Sequence, residues 1–278
     1  MQVSIIGTGN VGAALLIYLM DIPSIDKILV MNIEDEWSKA AIMDAASAKP
    51  ETALKLVAAP FHQLSESDLI LLTSGVQMKK GETNQDVLQK NIDITNSILD
   101  SAPIKRSAIV IAVATPVDDI TAHIQKRYKL PKNKVLGFGG DLDRNRLIYL
   151  LKRKGQFVHE PDIVGEHGKN AIPVYKGEEN YEELANNVCN FLANITTLGV
   201  TVRNFAAGLL LVEVVKSIIT DSNNIHYVCG YHPDYKVYIT WPFHLGIKGL
   251  LKPKALTMGP HAKEEFESLI EKRKKLVI

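Results

Sequence analysis

The chain opens with the run Val3-Ser4-Ile5-Ile6, and GTGNVG follows directly with glycines at 7, 9 and 12 before a helical pattern begins. A buried strand that turns at once into a helix through this spacing restricts the first unit to a strand–turn–helix layout. In it the first glycine permits the tight turn, the second lets a ligand approach the backbone, and the third lets helix and strand pack closely. The free N–H groups at the start of such a helix suit a pyrophosphate. Gly7, Gly9, Asn10, Val11 and Gly12 are therefore the expected dinucleotide cradle. A glycine-rich turn alone is also compatible with a plain loop, and it is the strand before and the helix after that favour the binding reading.

The pattern then alternates. A helix with Val11, Ala14, Leu15, Tyr18 and Leu19 on one face leads to a second strand at Lys27–Met31. Further apolar runs stand at Leu54–Val57, Asp68–Leu72, Ser107–Val113 and Val135–Gly137, with helical stretches between most of them. Alternation of this kind predicts an α/β fold built on a doubly wound parallel sheet, the Rossmann arrangement, with right-handed crossovers. The pattern changes near residue 140, which divides the chain into a dinucleotide-binding domain over 1–140 and an α+β substrate domain over 141–278. The second half is expected to hold a helix from about Asp141, a short strand at Asp162–Gly165, helices near 178–197 and 204–220, and a last helix from about 261.

A chain of 278 residues can bury a sizeable core. Its 32 basic and 31 acidic residues leave a formal net charge of +1, which argues against a nucleic-acid partner. The basic run Lys272-Arg273-Lys274-Lys275 reads as a solvated helix end. Cys189 and Cys229 lack metal-ligand or disulfide spacing and read as buried small side chains. No apolar run reaches membrane-spanning length and no cleavable leader precedes the first strand, so a cytoplasmic protein without membrane contact is expected.

Three further stretches carry chemistry. FGGDLDRNR places Asp143 and Arg146 three residues apart at a helix start, on one face. VGEHGKN sets His167 between glycines in a loop, and ATPVDD follows the fifth strand, where an open α/β sheet lines its ligand crevice. Each has a plain alternative of equal weight: a helix-terminal acid, a surface cation, a loop histidine.

In this order, with GTGNVG in front and SGVQMKKGETNQDVLQKN, ATPVDDIT and YITWPFHLGIKGL between and after, these stretches resemble the lactate/malate dehydrogenase family over nearly the whole chain. The resemblance implies reversible hydride transfer between NAD and a small 2-hydroxy acid, with the 2-oxo acid as the other partner. It implies that His167 moves the hydroxyl proton, that Asp143 orients and charges the imidazole, and that Arg146 grips the substrate carboxylate. It adds Thr73, Ser74 and Gly75 to the cofactor site, and a homodimer or homotetramer as the assembly.

The departures are specific. Aligned on Gly81, the substrate loop puts Met78 at the specificity position and Asn84 where the family carries an arginine that polarises the substrate carbonyl. Losing one such donor costs about 10²–10³ in rate. Lys79, Lys80 or Arg203 would supply the charge if they reach the site, and the equal alternative is that all three are solvated. Thr115 stands for an asparagine beside the substrate. Asn32 stands for the acid that accepts from the adenosine ribose, and with Glu34, Asp35 and Glu36 following it NAD is favoured over NADP. The chain is also short between Lys169 and Tyr181. Two further readings stay open: a nucleotide-binding homologue with impaired catalysis, favoured by Asn84, and an NADP-linked reductase, resting only on Asn32.

Overall fold

A computed structural model describes residues 1–79, 81–156, 158–176, 180–196 and 205–275. The first half runs β1 (Gln2–Ile6), α1 (Asn10–Leu19), β2 (Lys27–Met31), α2 (Asp35–Ala48), β3 (Leu56–Ala58), β4 (Leu69–Leu72), α3 (Asn84–Leu99), β5 (Ile109–Ala112), α4 (Val117–Tyr128) and β6 (Val135–Phe138). These six strands are parallel in the order β3-β2-β1-β4-β5-β6. That is the doubly wound sheet the alternation predicts, and its reversal of direction falls between β1 and β4.

Both faces of this sheet are covered, so side chains of one strand divide between two cores. Val3, Ile5, Ile28, Val30, Leu69, Leu71, Ile109 and Ile111 pack with Leu15, Leu16 and Leu19 of α1. Ile6, Leu29, Met31, Ile70, Leu72, Val110 and Ala112 pack with Ile98 and Leu99 of α3 and Val117, Ile120 and Ile124 of α4. The strands therefore read as continuous apolar runs rather than alternating ones.

Two local expectations shift. The third strand begins at Leu56, because Leu54 sits in a 3-10 turn over Ala53–Lys55 and is 86% exposed. On α1 the buried stripe runs through Gly12, Leu15, Leu16 and Leu19, while Tyr18 faces outward.

The second half continues with α5 (Gly140–Arg153), β7 (Asp162–Glu166), β8 (Asn170–Val174), α6 (Tyr181–Cys189), α7 (Phe191–Thr196), α8 (Phe205–Ile219), β9 (Ile225–His232), β10 (Val237–Gly246), β11 (Gly249–Pro253) and α9 (Pro260–Lys275). The helix expected near 178–197 is two helices among the described residues, with Asn190 between them. Four strands lie beyond the one expected at 162–165. Together with β7 they extend the same sheet past β6 in the order β9-β10-β7-β8, antiparallel throughout, with β11 also on β10. β9 and β10 gave no period-2 signal because both their faces are buried along nearly their whole length. The sheet thus crosses residue 140 without a break, and α8 packs against α1 so closely that a Cβ on Gly208 would lie 2.6 Å from that of Ala14. No helix among the described residues is long and apolar enough to cross a membrane.

Candidate active site

The glycine turn lies where β1 ends and α1 begins. Gly7 adopts a left-handed φ of +91°, and a Cβ there would meet Ser74 Cα at 3.0 Å. A Cβ on Gly12 would lie 1.9 Å from the Gly7 carbonyl oxygen and 2.7 Å from Thr73 Oγ1, so helix and turn touch backbone to backbone. A Cβ on Gly9 meets nothing within 4 Å. The fold itself therefore does not require glycine at position 9, and the space in front of it is what a pyrophosphate needs. Gly9 caps α1 without a side-chain bond, and no acid occupies the first turn, which Asn10, Val11 and Gly12 open. An anion there meets the positive helix end without competition.

Thr73 braces the turn, its hydroxyl donating to the Ile6 and Gly7 carbonyls at 2.9 and 2.7 Å. Gly75 comes close to Ala114 and Asn91, where a Cβ would lie 2.7 Å from the first. Asn32, just past β2, points its Oδ1 back into the turn and accepts from the Thr8 N–H at 3.0 Å and the Thr8 hydroxyl at 3.3 Å. Its amide donates to Ser38 Oγ at 3.0 Å. The sequence offers Asn32 only as a ribose contact, and the structure adds a bond that fixes the glycine turn. The exposed acids Glu34, Asp35 and Glu36 follow at the start of α2.

The second cluster stands at the start of α5. Asp143, 1% exposed, lies in its first turn, and the β7–β8 hairpin delivers His167 to it. His167 Nδ1 and Asp143 Oδ2 are 2.7 Å apart, and the same oxygen accepts the Gly168 N–H at 3.1 Å. Arg146, one turn on, donates from Nη1 to Asp143 Oδ1 at 2.8 Å and stacks its guanidinium 5.5 Å from the Phe191 ring centre. One carboxylate thus binds both the histidine and the arginine that the sequence places with it. Burial pushes the imidazole towards neutrality, but the charge and hydrogen bond of Asp143 outweigh it and hold the His167 pKa above its ordinary value; Arg146 opposes and Asp118 assists.

Gly139 lets the ring approach, since a Cβ there would lie 2.3 Å from His167 Cγ. Asp118, buried in the first turn of α4, accepts the His167 backbone N–H at 3.0 Å and the Thr240 hydroxyl at 3.1 Å. Burial pushes the Asp118 carboxyl above the usual carboxylate range, with Glu166 adding to the effect and Arg273 opposing it. Gly139, Asp118 and Glu166 sit inside the motifs that flag their neighbours, yet their own roles depend on contacts that the sequence does not display. Arg273 was hidden in the basic run: Lys272, Lys274 and Lys275 are exposed as expected of a solvated helix end, but Arg273 is buried.

The loop that the resemblance assigns to substrate is not bonded to this cluster among the described residues. Met78 is 48% exposed, Lys79 is exposed, and Asn84 is the exposed first residue of α3 behind its cap Thr83, which shares a capping box with Asp86. Glu82 ties the loop to itself and to α3, accepting from the Lys79 N–H at 2.7 Å and from Lys90 at 2.5 Å. Among the described residues no loop side chain bonds to Asp143, Arg146 or His167. Thr115 is exposed at the end of the β5 crevice, its carbonyl held by Asn91 at 2.7 Å. Lys80 and Arg203 lie outside the described residues.

Residues 1–137 match the family model described as the lactate/malate dehydrogenase NAD-binding domain. Over 99% of this chain and 96% of the relative, the sequence is 28% identical to a malate dehydrogenase of Caldivirga maquilingensis. The chain is thus similar to the lactate/malate dehydrogenase family over nearly its whole length. An L-lactate dehydrogenase of Clostridium perfringens is 29% identical over 97% of this chain and 93% of its own length. The fold also matches the crystal structure of a lactate dehydrogenase from a Medee basin deep-sea metagenome library, with a TM-score of 0.83 at 20% identity, over 99% and 96% of the two chains. The first half of the chain thus matches that family's NAD-binding domain, and the likeness of fold extends through the second half. Relatives of both kinds stand at nearly the same identity, so similarity alone does not separate malate from lactate as substrate.

Proposed function

We propose that this chain is an NAD-dependent dehydrogenase of a small 2-hydroxy acid of the malate or lactate type. The observation that carries the reading is Asp143 bonded at once to His167 and Arg146, in a family whose first domain binds NAD. In this reading residues 1–140 hold the cofactor and 141–278 supply the chemistry. Gly7, Gly9 and Gly12 hold the pyrophosphate at the start of α1, and Thr73, Ser74 and Gly75 shape that turn. Bound NAD supplies the nicotinamide C4 that exchanges hydride with C2 of the acid.

His167 does the proton work. With Nδ1 committed to Asp143, Nε2 takes the hydroxyl proton during oxidation and returns it to the carbonyl oxygen during reduction. Asp143 stabilises the imidazolium that oxidation leaves and keeps it in one orientation. Arg146 spends one N–H on Asp143, and among the described residues no other hydrogen bond engages its guanidinium, so the remaining donors suit a substrate carboxylate. Met78 and Thr115 face the remainder of the substrate.

The acids at the start of α2 oppose a 2′-phosphate, which favours NAD over NADP; Asn32 weakens that discrimination because it is uncharged. Tyr18, Trp37, Met43, Phe205 and Leu209 are exposed apolar side chains on α1, α2 and α8, of the kind a homodimeric or homotetrameric assembly would cover. The rival reading, a nucleotide-binding homologue with weak or no turnover, is favoured by Asn84, a neutral residue on the loop where the family carries a cation.

A scan of 2-oxo acids against NADH and NADPH, followed by nicotinamide absorbance, tests the reading. Turnover of at least one acid with NADH is expected. NADH binding without turnover of any acid would favour the rival, and tenfold tighter NADPH would overturn the cofactor assignment.

A further inference from the structure

The turn that carries His167 is held from the far end of the chain. Arg273, near the last turn of α9, has a side chain only 3% exposed, although basic residues on either side of it point to solvent. Its Nη1 donates to Glu166 Oε1 at 2.9 Å and to Asp119 Oδ1 in a close contact, and its Nη2 donates to the Tyr238 carbonyl at 3.3 Å. Glu166 is the last residue of β7, immediately before His167. Asp119 adjoins Asp118, the carboxylate that accepts the His167 backbone N–H. One planar guanidinium therefore joins the first turn of α4, the start of β10 and the entry to the His167 turn.

A buried cation is costly, and a buried ion pair adds little stability over an apolar replacement of the same shape. What such a pair does supply is geometry, and here the geometry is that of a proton-transfer residue. Asp143 fixes the His167 ring, but only at one nitrogen; the backbone from which the ring projects is fixed by Asp118 and, through Glu166, by Arg273. Proton transfer is sensitive to displacement, since about 1 Å of misplacement can cost 10²-fold. We propose that Arg273 is a positioning residue for His167, clamping the Glu166–His167–Gly168 turn onto α4 and so making the C-terminal helix part of the acid–base apparatus. The inference rests on the acid–base reading of His167, but the clamp has a readout that needs no turnover.

That readout is the His167 Nδ1–H resonance in protein labelled with ¹⁵N-histidine, assigned by its loss in His167→Asn. Wild type should give a downfield signal from the bond to Asp143. In Arg273→Met the signal should shift or exchange-broaden, and kcat should fall about 10- to 10²-fold while the KM for NADH stays within about twofold, because the glycine turn is untouched. Arg273→Lys should fall between, since one ammonium replaces a planar fork. Should Arg273→Met fail to fold, Glu166→Gln decides. It weakens the same link at a partly exposed side chain and should shift the same signal in a folded protein, and in a foldable background the two changes should be less than additive. Folded variants that keep the wild-type resonance and kcat would overturn the clamp. If the resonance moves in a protein that turns over no 2-oxo acid, the clamp stands and the dehydrogenase reading falls; normal turnover with an unmoved resonance gives the reverse.

Discussion

The His167 turn and the loop around Met78 are both proposed to serve the substrate, and they are built in opposite ways. The turn is determined several times over: Asp143 takes the ring and the Gly168 N–H, Asp118 takes the His167 N–H, Gly139 lets the ring seat, and Arg273 holds Glu166. Among the described residues the loop bonds only to itself and to the helix it begins, and its side chains at 78, 79 and 84 are exposed. A proton-transfer group gains from being fixed before substrate arrives, because its geometry must hold to a fraction of an ångström. A specificity loop has to admit and release the substrate, and low local stability suits that task. On the proposed reading, the acid–base chemistry sits in the frame of the protein and substrate polarisation is its weaker half.

The largest expected effect breaks the rigid side. His167→Asn should lower kcat by about 10²–10⁴-fold while leaving NADH binding intact, which steady-state rates and calorimetric titration together check. A loss under tenfold would mean that another group moves the proton.

Asp143→Asn should act through pH as well as rate. Reduction needs the protonated ring, so kcat/KM for reduction should stay level at low pH and fall as pH rises through the His167 pKa, which Asp143 holds above its ordinary value. Without the carboxylate charge, the break should move to lower pH. Stability follows the same sign. The raised folded pKa stabilises fully below the unfolded value of about 6.5, and that contribution is lost as pH climbs through the folded value. Chemical denaturation across that window should show the slope in wild type and lose most of it in Asp143→Asn, with about 1–3 kcal/mol of destabilisation from the donors left on Arg146 and Gly168.

A smaller effect probes the cofactor end. Asn32→Asp keeps an acceptor for Thr8 but adds a charge beside the acids of α2, and should weaken NADPH relative to NADH by less than about tenfold in paired titrations. The smallest expected effect lies on the loop. Lys79→Ala should change kcat/KM by no more than about twofold, since its side chain is exposed and makes no described bond to Arg146. A loss of tenfold or more would show that the loop closes with Lys79 supplying the missing charge.

Much of this contrast is legible in the sequence, for identifiable reasons. Continuous apolar runs between helical patterns mark the parallel strands because both faces of that sheet are buried, and the glycine spacing reports backbone contacts that the structure displays at Gly7 and Gly12. Asp143, Arg146 and His167 stand out because a helix face and a glycine-bounded turn concentrate charge. What stays hidden is hidden by long range. Arg273 meets Glu166 across 107 residues and looks like any other member of a basic helix end. β9 and β10 carry aromatic and branched side chains without alternation, and Pro242 within β10 argues locally against a strand that tertiary pairing nevertheless enforces. Asn32 is read from its position as a ligand contact, while its bond to Thr8 depends on a turn that only the folded chain forms.

We propose that the acid–base half of a 2-hydroxy-acid dehydrogenase is built at Asp143 and His167 and that the loop limits its rate; comparing kcat/KM for 2-oxo-acid reduction by NADH in wild type and in Asn84→Arg tests this most directly. Measurable turnover is expected in wild type, with a rise towards about 10²-fold when the donor is restored on the loop. No turnover in wild type and none gained by Asn84→Arg, in protein that folds and binds NADH, would contradict the proposal.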